Sequence, residues 1–321
     1  MIRVGIIGGA GYTAGELLRI LTNHPNADIV GISSTSNDGK LISSVHGDLI
    51  GETDIVFSEF ELSTVDVLFL CSGHGKSVEF LNNNKVPEKV KIIDLSADFR
   101  LKTEGNKFIY GLCELNRELI KKANYIANPG CFATSIELAL LPLATASELK
   151  SDIQVTAITG STGAGQRPTA TTHFSWRNSN LSSYKAFEHQ HLAEIGECVK
   201  HLQNNFDKDI NFVPIRGCHT RGILASVYMD FDEDECYATK LFEEYYASHP
   251  FTHIASQNPD LKQVVNTNKG VLHLKKHGDK LHIISIIDNL IKGASGQAVQ
   301  NMNLMFNINE DVGLRLKPVG F

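Results

Sequence analysis

No C-x-x-C pair occurs in this chain, and its six cysteines, Cys71, Cys113, Cys131, Cys198, Cys218 and Cys236, are scattered. At 321 residues the chain is far too long to need a disulfide framework, so reduced thiols are expected. No apolar run approaches the roughly 20 residues of a membrane span. The opening MIRVGIIGGAG lacks the apolar core and cleavage site of a signal peptide and starts directly with a short strand and a glycine turn. These absences predict a cytoplasmic location and no membrane partner. Basic charge is not in excess either. The formal net charge is −6, which argues against a nucleic-acid partner, so an anionic ligand would need a local cationic pocket. Internal repeats and low-complexity tracts are also missing. What is there is ample for a packed core: 42% hydrophobic against 21% charged residues.

The first 130 residues alternate strand-like and helix-like segments. Arg3 to Ile7, Asp28 to Ser33, Val65 to Cys71, Val90 to Leu95 and Tyr125 to Ala127 read as strands. The run VDVLFLC has no alternation, as expected of a strand buried on both faces. Between them, Ala14 to Thr22 places Leu17, Leu18 and Leu21 on one helical face, and Ser77 to Asn83 suits a short helix. That order predicts an α/β, Rossmann-type doubly wound parallel sheet. After Cys131 the character changes. Phe132 to Ala144 reads as a helix, followed by β-rich runs at Ile153 to Thr159, Asn211 to Pro214, Ile223 to Phe231 and Leu281 to Asp288. They predict a second, α+β domain with a mixed or antiparallel sheet. Gly160 to Ser183, rich in Gly, Ser, Thr and Asn, reads as a long functional loop, and Gln297 to Phe306 as a final helix. The expected division is residues 1–130 with 297–321 as the cofactor domain, and 131–296 as the catalytic and oligomerisation domain.

The first strand ends in Gly8-Gly9-Ala10-Gly11-Tyr12-Thr13-Ala14-Gly15. Gly8 permits a tight turn, Gly11 leaves room for a pyrophosphate, and the helix N-terminus offers free N–H groups. A glycine pattern alone is weak, but its place between first strand and first helix is the confirming context. A purely structural turn is the alternative. The second strand ends in Ser33-Ser34-Thr35-Ser36 with no carboxylate for a ribose 2′-hydroxyl, and Lys40 follows. Hydroxyls and a lysine there suit a 2′-phosphate, so NADP(H) is expected rather than NAD, with Ser34 and Ser36 as contacts.

Cys131 follows Asn128-Pro129-Gly130 at the start of a helix. A helix terminus favours the thiolate, and a thiolate can attack an acyl carbon. The common fate of a cysteine is to be a small buried hydrophobe, but the Pro-Gly turn sets Cys131 apart. Covalent chemistry needs a proton carrier, and among thirteen histidines the stretch His189-Gln190-His191-Leu192-Ala193-Glu194 stands out. A carboxylate could orient His191, whereas His189, five residues from Glu194, would be less well aligned. No third residue has the spacing to complete a metal site, so none is expected. Arg216 and Arg221 flank Gly217 to Thr220; arginine suits bidentate recognition of carboxylate or phosphate, and a solvated role is the commoner alternative.

Together these segments resemble the N-acetyl-gamma-glutamyl-phosphate reductase family of arginine biosynthesis, within the wider aspartate-semialdehyde and glyceraldehyde-phosphate dehydrogenase group. The resemblance runs nearly end to end. It rests on GGAGYTAGELLRIL, IDLSADFR ending at Arg100, YGLCEL, NPGCFAT, STGAGQR, EHQHLAEI, RGIL and IDNLIKGASGQAVQNMNLMF. It implies a dimeric or tetrameric NADP(H)-dependent enzyme that reduces an N-acyl-gamma-glutamyl phosphate to the 5-semialdehyde and releases phosphate. Cys131 would be the nucleophile and His191 the acid/base, with His189 and Glu194 as active-site neighbours. Gly8, Gly9, Ala10, Gly11, Tyr12, Thr13, Ser34, Ser36, Gly160 and Asn289 would contact the cofactor. Arg100, Asn128, Thr159, Arg216 and Arg221 would contact the substrate. Ala14 replaces the usual third glycine, Cys113 a proline, and Gln190 the commoner arginine between the histidines. The last change leaves N-acetyl and N-succinyl substrates both open. An aspartate-semialdehyde dehydrogenase and a non-enzymatic NADP-binding protein are the rival readings; the H-x-H-x-x-E motif and the intact Cys131 argue against them.

Overall fold

A computed structural model describes residues 1–320 of the chain. They fall into two compact units. Residues 1–129 and 294–315 form the first; residues from Gly130 to Gly293, joined by the tail from Leu316 onward, form the second.

The first unit begins with β1 (Ile2–Ile7), α1 (Tyr12–Leu21), β2 (Ala27–Ser33) and β3 (Val67–Leu70). It continues through α2 (Lys76–Asn83), β4 (Lys91–Asp94), β5 (Ile109–Tyr110), α3 (Cys113–Lys122) and β6 (Tyr125–Ala127). Its six strands run parallel in the order β2-β1-β3-β4-β6-β5. All four residues of β3 are buried, as a strand covered on both faces requires. In α1 the buried Ala14, Leu17, Leu18 and Leu21 recur at helical spacing, which fixes the face turned to the sheet. From β1 the chain moves to β2 on one side and to β3 on the other. That makes the β1/β3 edge the topological switch point, where open α/β sheets place ligands.

The second unit begins with α4 (Cys131–Thr145), β7 (Ile153–Thr159), α5 (Phe174–Arg177) and β8 (Ser182–Ser183). Then come α6 (His191–Leu202), β9 (Ile210–Arg216), β10 (Ile223–Asp230) and α7 (Glu235–Tyr246). It ends with β11 (Thr252–Ile254), β12 (Gly270–His277) and β13 (Lys280–Ile287). The sheet is mixed, in the order β11-β12-β13-β10-β7-β9-β8. The β11–β12 and β7–β9 pairs are parallel and the others antiparallel. Along β10, Ile223, Ala225, Val227 and Met229 turn inward and alternate with more exposed residues, giving a half-buried strand its period of two. Every residue of α4 from Phe132 to Ala144 is buried, because the helix is mostly apolar on every face and packs between α6 and the sheet, with Thr134, Ser135 and Glu137 buried among the rest. One π-helical turn, Ile291–Ser295, leads into α8 (Gly296–Met305), which belongs to the first unit.

Several features differ from the sequence expectation, and three of them have a clear physical reason. The tail from Leu316 packs with the second unit, not with the cofactor unit: Asn266 Nδ2 donates to Lys317 O at 3.3 Å. Strand β12 escaped notice because its outer half reads Leu-Lys-Lys-His; pairing with β13 through the Gly278 turn, where φ is +62°, makes it a strand. Helix α3 buries only Cys113, Glu114 and Ile120, too few apolar positions to show a stripe. No helix among the described residues is long and apolar enough to cross a membrane.

The second unit's stability rests on the α4 layer against β10 and β13. Ile283, fully buried there, leaves a cavity when shortened. Ile283→Ala should cost about 2–5 kcal/mol. A urea midpoint that falls with an unchanged slope is the expected result.

Candidate active site and cofactor turn

In the first unit the glycine turn closes β1. Gly8 sits at φ +81°, and a Cβ on it would meet Ser72, at the end of β3, at 2.6 Å. Gly11 is the N-cap of α1, faces open space and brings no side-chain cap, so the first turn's N–H groups are left for a ligand. Ala10, Tyr12 and Thr13 complete the turn, and Gly9 N donates to Ser33 O at 2.8 Å. His46, which the sequence reading missed, holds the turn from behind: its Nε2 donates to Gly9 O at 2.8 Å. The displaced glycine then has a reason. A Cβ on Gly15 would come within 2.6 Å of the His46 ring. Ser34 and Ser36 accept from Asn37 Nδ2, each at 3.2 Å, and Lys40 Nζ donates to Asn37 Oδ1 at 3.2 Å. The uncovered N-terminus fits a pyrophosphate, and the Ser34-Ser36-Lys40 cluster fits a further phosphate.

Two other residues of the first unit are held by backbone groups. Arg100 is buried, with Nε donating to Asn128 O at 2.9 Å and an Nη to Leu95 O at 3.3 Å. Asn128 Nδ2 donates to Ala294 O at 3.1 Å, and its Oδ1 accepts from Asn301 Nδ2 at 3.1 Å. Both stand at the carboxyl ends of β4 and β6.

In the second unit, Cys131 is the first residue of α4, half-buried, with Gly130 as an N-cap that offers no side chain. The positive end of the helix dipole favours negative charge there. Gly293 lies directly against it; a Cβ on Gly293 would sit 2.7 Å from the Cys131 Cβ. Cys198 is a different kind of thiol. It is buried, and burial followed by the Glu137 charge pushes it well above the ordinary range.

His191 opens α6 and Glu194 stands one turn later on the same face. Glu194 Oε2 accepts from Gly130 N at 3.0 Å, and its Oε1 lies 3.8 Å from His191 Nε2, an ion-pair separation rather than a hydrogen bond. One carboxylate thus touches both the cysteine turn and the histidine. His189 precedes the helix, and its Nδ1 accepts from His191 N at 3.2 Å. Its ring meets Phe132, Tyr184, Phe212 and His191 edge-on. Burial, then Lys185, lowers its pKa to about 4, so this ring is neutral near pH 7. Both histidines are buried, not the surface pair that the motif alone would allow.

The remaining candidates separate into two groups. Thr159 is buried at the end of β7, and Gly160 has no room for a side chain, because a Cβ would strike Thr220 O at 2.5 Å. Arg216 ends β9 and stacks its guanidinium 3.7 Å over the Tyr184 ring. Tyr184 itself is pushed up to about 12, by burial first and then by the nearby Cys131. Arg221 and Asn289 are held in the scaffold. Arg221 forms an ion pair with buried Asp288 at 3.1 Å. Asn289 accepts from Gly222 N at 2.8 Å and donates to Thr162 Oγ1 at 3.0 Å. Tyr184 and Arg177 went unnoticed in the sequence, since neither sits in a motif whose spacing signals chemistry.

Two outcomes follow. Gly293→Ala should push Cys131 aside and lower kcat/KM about 10²-fold, the scale of a misplacement near 1 Å; an unchanged value would mean that the contact is slack. His189 sets an acid limit on stability. The unfolded ring takes up a proton near pH 6.5 while the native ring stays neutral down to about 4. Stability therefore falls as pH drops through that window and is untouched above it. Denaturant midpoints from pH 7 to 4 should fall less steeply for His189→Gln than for the unaltered protein.

Comparison with known proteins agrees with both units. Residues 3–123 match the family model described as semialdehyde dehydrogenase, NAD binding domain, and residues 131–289 the one described as semialdehyde dehydrogenase, dimerisation domain. Among solved structures, aspartate semialdehyde dehydrogenase II of Vibrio cholerae, complexed with ASA, superposes with a TM-score of 0.74. It is 17% identical and covers 96% of this chain and 98% of that one. The Candida albicans aspartate semialdehyde dehydrogenase with NADP gives a TM-score of 0.67 at 11% identity over 97% and 99%. At such identities the likeness is one of fold. Curated relatives are much nearer. The N-acetyl-gamma-glutamyl-phosphate reductases of Parabacteroides distasonis and Bacteroides thetaiotaomicron are each 58% identical over 100% of both chains. That of Flavobacterium johnsoniae is 54% identical over the same full coverage. The chain belongs to the N-acetyl-gamma-glutamyl-phosphate reductase family.

Proposed function

We propose that this protein reduces an N-acyl-gamma-glutamyl phosphate to the N-acyl-glutamate 5-semialdehyde, with release of phosphate, in arginine biosynthesis. The full-length identity of 58% to reductases of that name carries the reading. Cofactor, location and assembly follow from the same reading: NADP(H), the cytoplasm, and a homo-oligomer, dimer or tetramer. The Gly8–Thr13 turn and the Ser34, Ser36 and Lys40 cluster would hold the cofactor. When bound, the reduced nicotinamide supplies the hydride.

The chain's own residues supply the rest. The Cys131 thiolate attacks the γ-carbonyl carbon; a carbon–sulfur bond forms, the carbon–oxygen bond to phosphate breaks, and a thioester remains. Hydride addition at that carbonyl gives a thiohemiacetal oxyanion. When the oxyanion collapses, the carbon–sulfur bond breaks, the aldehyde leaves and the thiolate returns. One proton is taken up per turnover, onto the departing phosphate, and we assign its transfer to His191. The neutral state of His189 supports that choice, because a ring with a pKa near 4 holds almost no proton to give at pH 7. Glu194 positions both partners through Gly130 N and His191 Nε2. The N–H groups at the start of α4, which has no side-chain cap, would serve the developing oxyanion. Thr159 and Arg216, register partners at the ends of β7 and β9, and Arg100 and Asn128 are the further substrate contacts of this reading.

Cys131→Ser should abolish semialdehyde formation and leave NADPH binding, read by fluorescence, unchanged. Turnover near that of the unaltered enzyme would overturn the thioester route.

A further inference from the structure

Arg177 closes the short α5 turn in the middle of the long loop of the second unit. It is 8% exposed, and neither its Nε nor its Nη1 has a hydrogen-bond partner. The charges that surround it are the wrong ones for a structural arginine. Its electrostatic neighbours are Arg216, Tyr184, Cys218 and His219; no carboxylate is among them. Burial first, and then the like charge of Arg216, pull the guanidinium below its ordinary pKa. A buried cation left in this state weighs against folding. It is explained if an anion completes it.

The surroundings say where that anion would lie. Arg216 stacks on the Tyr184 ring, leaving the guanidinium edge for a planar acceptor. Tyr184 feels the charges of Cys131, Arg216 and Arg177 together, so one aromatic side chain borders both the two arginines and the nucleophile. Ser182, opposite Arg216 across the β8–β9 pair, adds a buried hydroxyl oxygen with no partner. Two guanidiniums, a phenol and a hydroxyl therefore cluster around Tyr184, within electrostatic reach of Cys131.

We propose that Arg177 and Arg216 form a carboxylate-binding subsite that grips the non-reacting end of the substrate while its acyl carbon faces Cys131. The inference rests on the substrate class proposed above, which offers two sources of such a group. One is the α-carboxylate of the glutamyl moiety. The other is a terminal carboxylate on the N-acyl group, present in an N-succinyl substrate and absent from an N-acetyl one. The subsite anchors substrate and takes no part in bond making.

The test runs the enzyme from semialdehyde, phosphate and NADP+ toward the acyl phosphate, with N-acetyl and N-succinyl semialdehydes side by side. Activity of the unaltered enzyme on either one secures the reaction before any variant is read. Arg177→Met should then raise the semialdehyde KM about 10- to 100-fold, the scale of a lost hydrogen bond to a charged group. Phosphate and NADP+ KM values should stay put, and Arg177→Lys should recover part of the loss. Equal losses with both semialdehydes support the subsite and assign it to the α-carboxylate; a loss confined to the N-succinyl compound supports it and assigns it to the acyl group. Without ligand, Arg177→Met should melt at or above the temperature of the unaltered protein, since it removes an uncompensated charge. Should it be too poorly folded to assay, Arg177→Lys is read in the same way. Unchanged semialdehyde KM values would overturn the subsite, as would a rise in phosphate KM alone. So would a loss that tracks dissociation of the oligomer in sedimentation, which would make Arg177 an interface residue.

Discussion

Glu194 Oε2 accepts from the backbone N–H of Gly130, and the two residues are 64 positions apart in the chain. Both groups are buried, so each would be costly if left alone. Their pairing satisfies an orphan donor at the start of α4 without any side-chain cap. It also sets the register between the helix that begins at Cys131 and the helix that begins at His191. The other carboxylate oxygen then has His191 Nε2 within ion-pair range. Much of the candidate chemistry depends on this one bridge, because it links the proposed nucleophile's turn to the proposed proton carrier.

Close packing does the rest of the positioning. Cys131 has Gly293 against it where a methyl would not fit, and Phe132 and Phe212 wall the two histidines edge-on. The same walls keep His189 neutral. A pair of histidines that look equivalent in the motif thereby become different groups: one held by aromatic rings and a backbone N–H, the other beside a carboxylate. The glycine turn of the first unit follows a similar logic. Gly8 yields to Ser72, Gly15 yields to the His46 ring, and Gly11 stays open. Each glycine is present because something else needs its space, and only Gly11 leaves that space for a ligand.

The candidate cationic residues divide by what already holds them. Arg221 has Asp288, Arg100 has carbonyl oxygens at the strand ends, and Arg216 has the face of Tyr184. Arg177 has the like charge of Arg216 beside it and no carboxylate among its electrostatic neighbours. A sequence cannot tell these cases apart, because an arginine's role depends on whether a carboxylate arrives from elsewhere in the chain.

Most of the alternation of short apolar runs and helical stripes before Cys131 was legible in the linear sequence, because hydrophobic burial imposes its period directly on residue order. The glycine turn and the Pro-Gly-Cys helix start were legible for the same local reason: φ preferences and helix ends act over a few neighbouring residues. Strand β12, helix α3 and the docking of the tail were not, since their apolar content is thin and their stability comes from partners far along the chain. The site divides along the same line. Residue types and short motifs within the sequence itself determined that Cys131, the two histidines and Glu194 are the candidate chemistry-bearing groups. Only the tertiary structure decided that Glu194 reaches back to Gly130, that His189 is the buried neutral ring, that Gly293 sits on the nucleophile, and that Arg177 is left without a counter-charge. Those are contacts between residues tens of positions apart, and distance, burial and charge pairing exist only once the chain has folded.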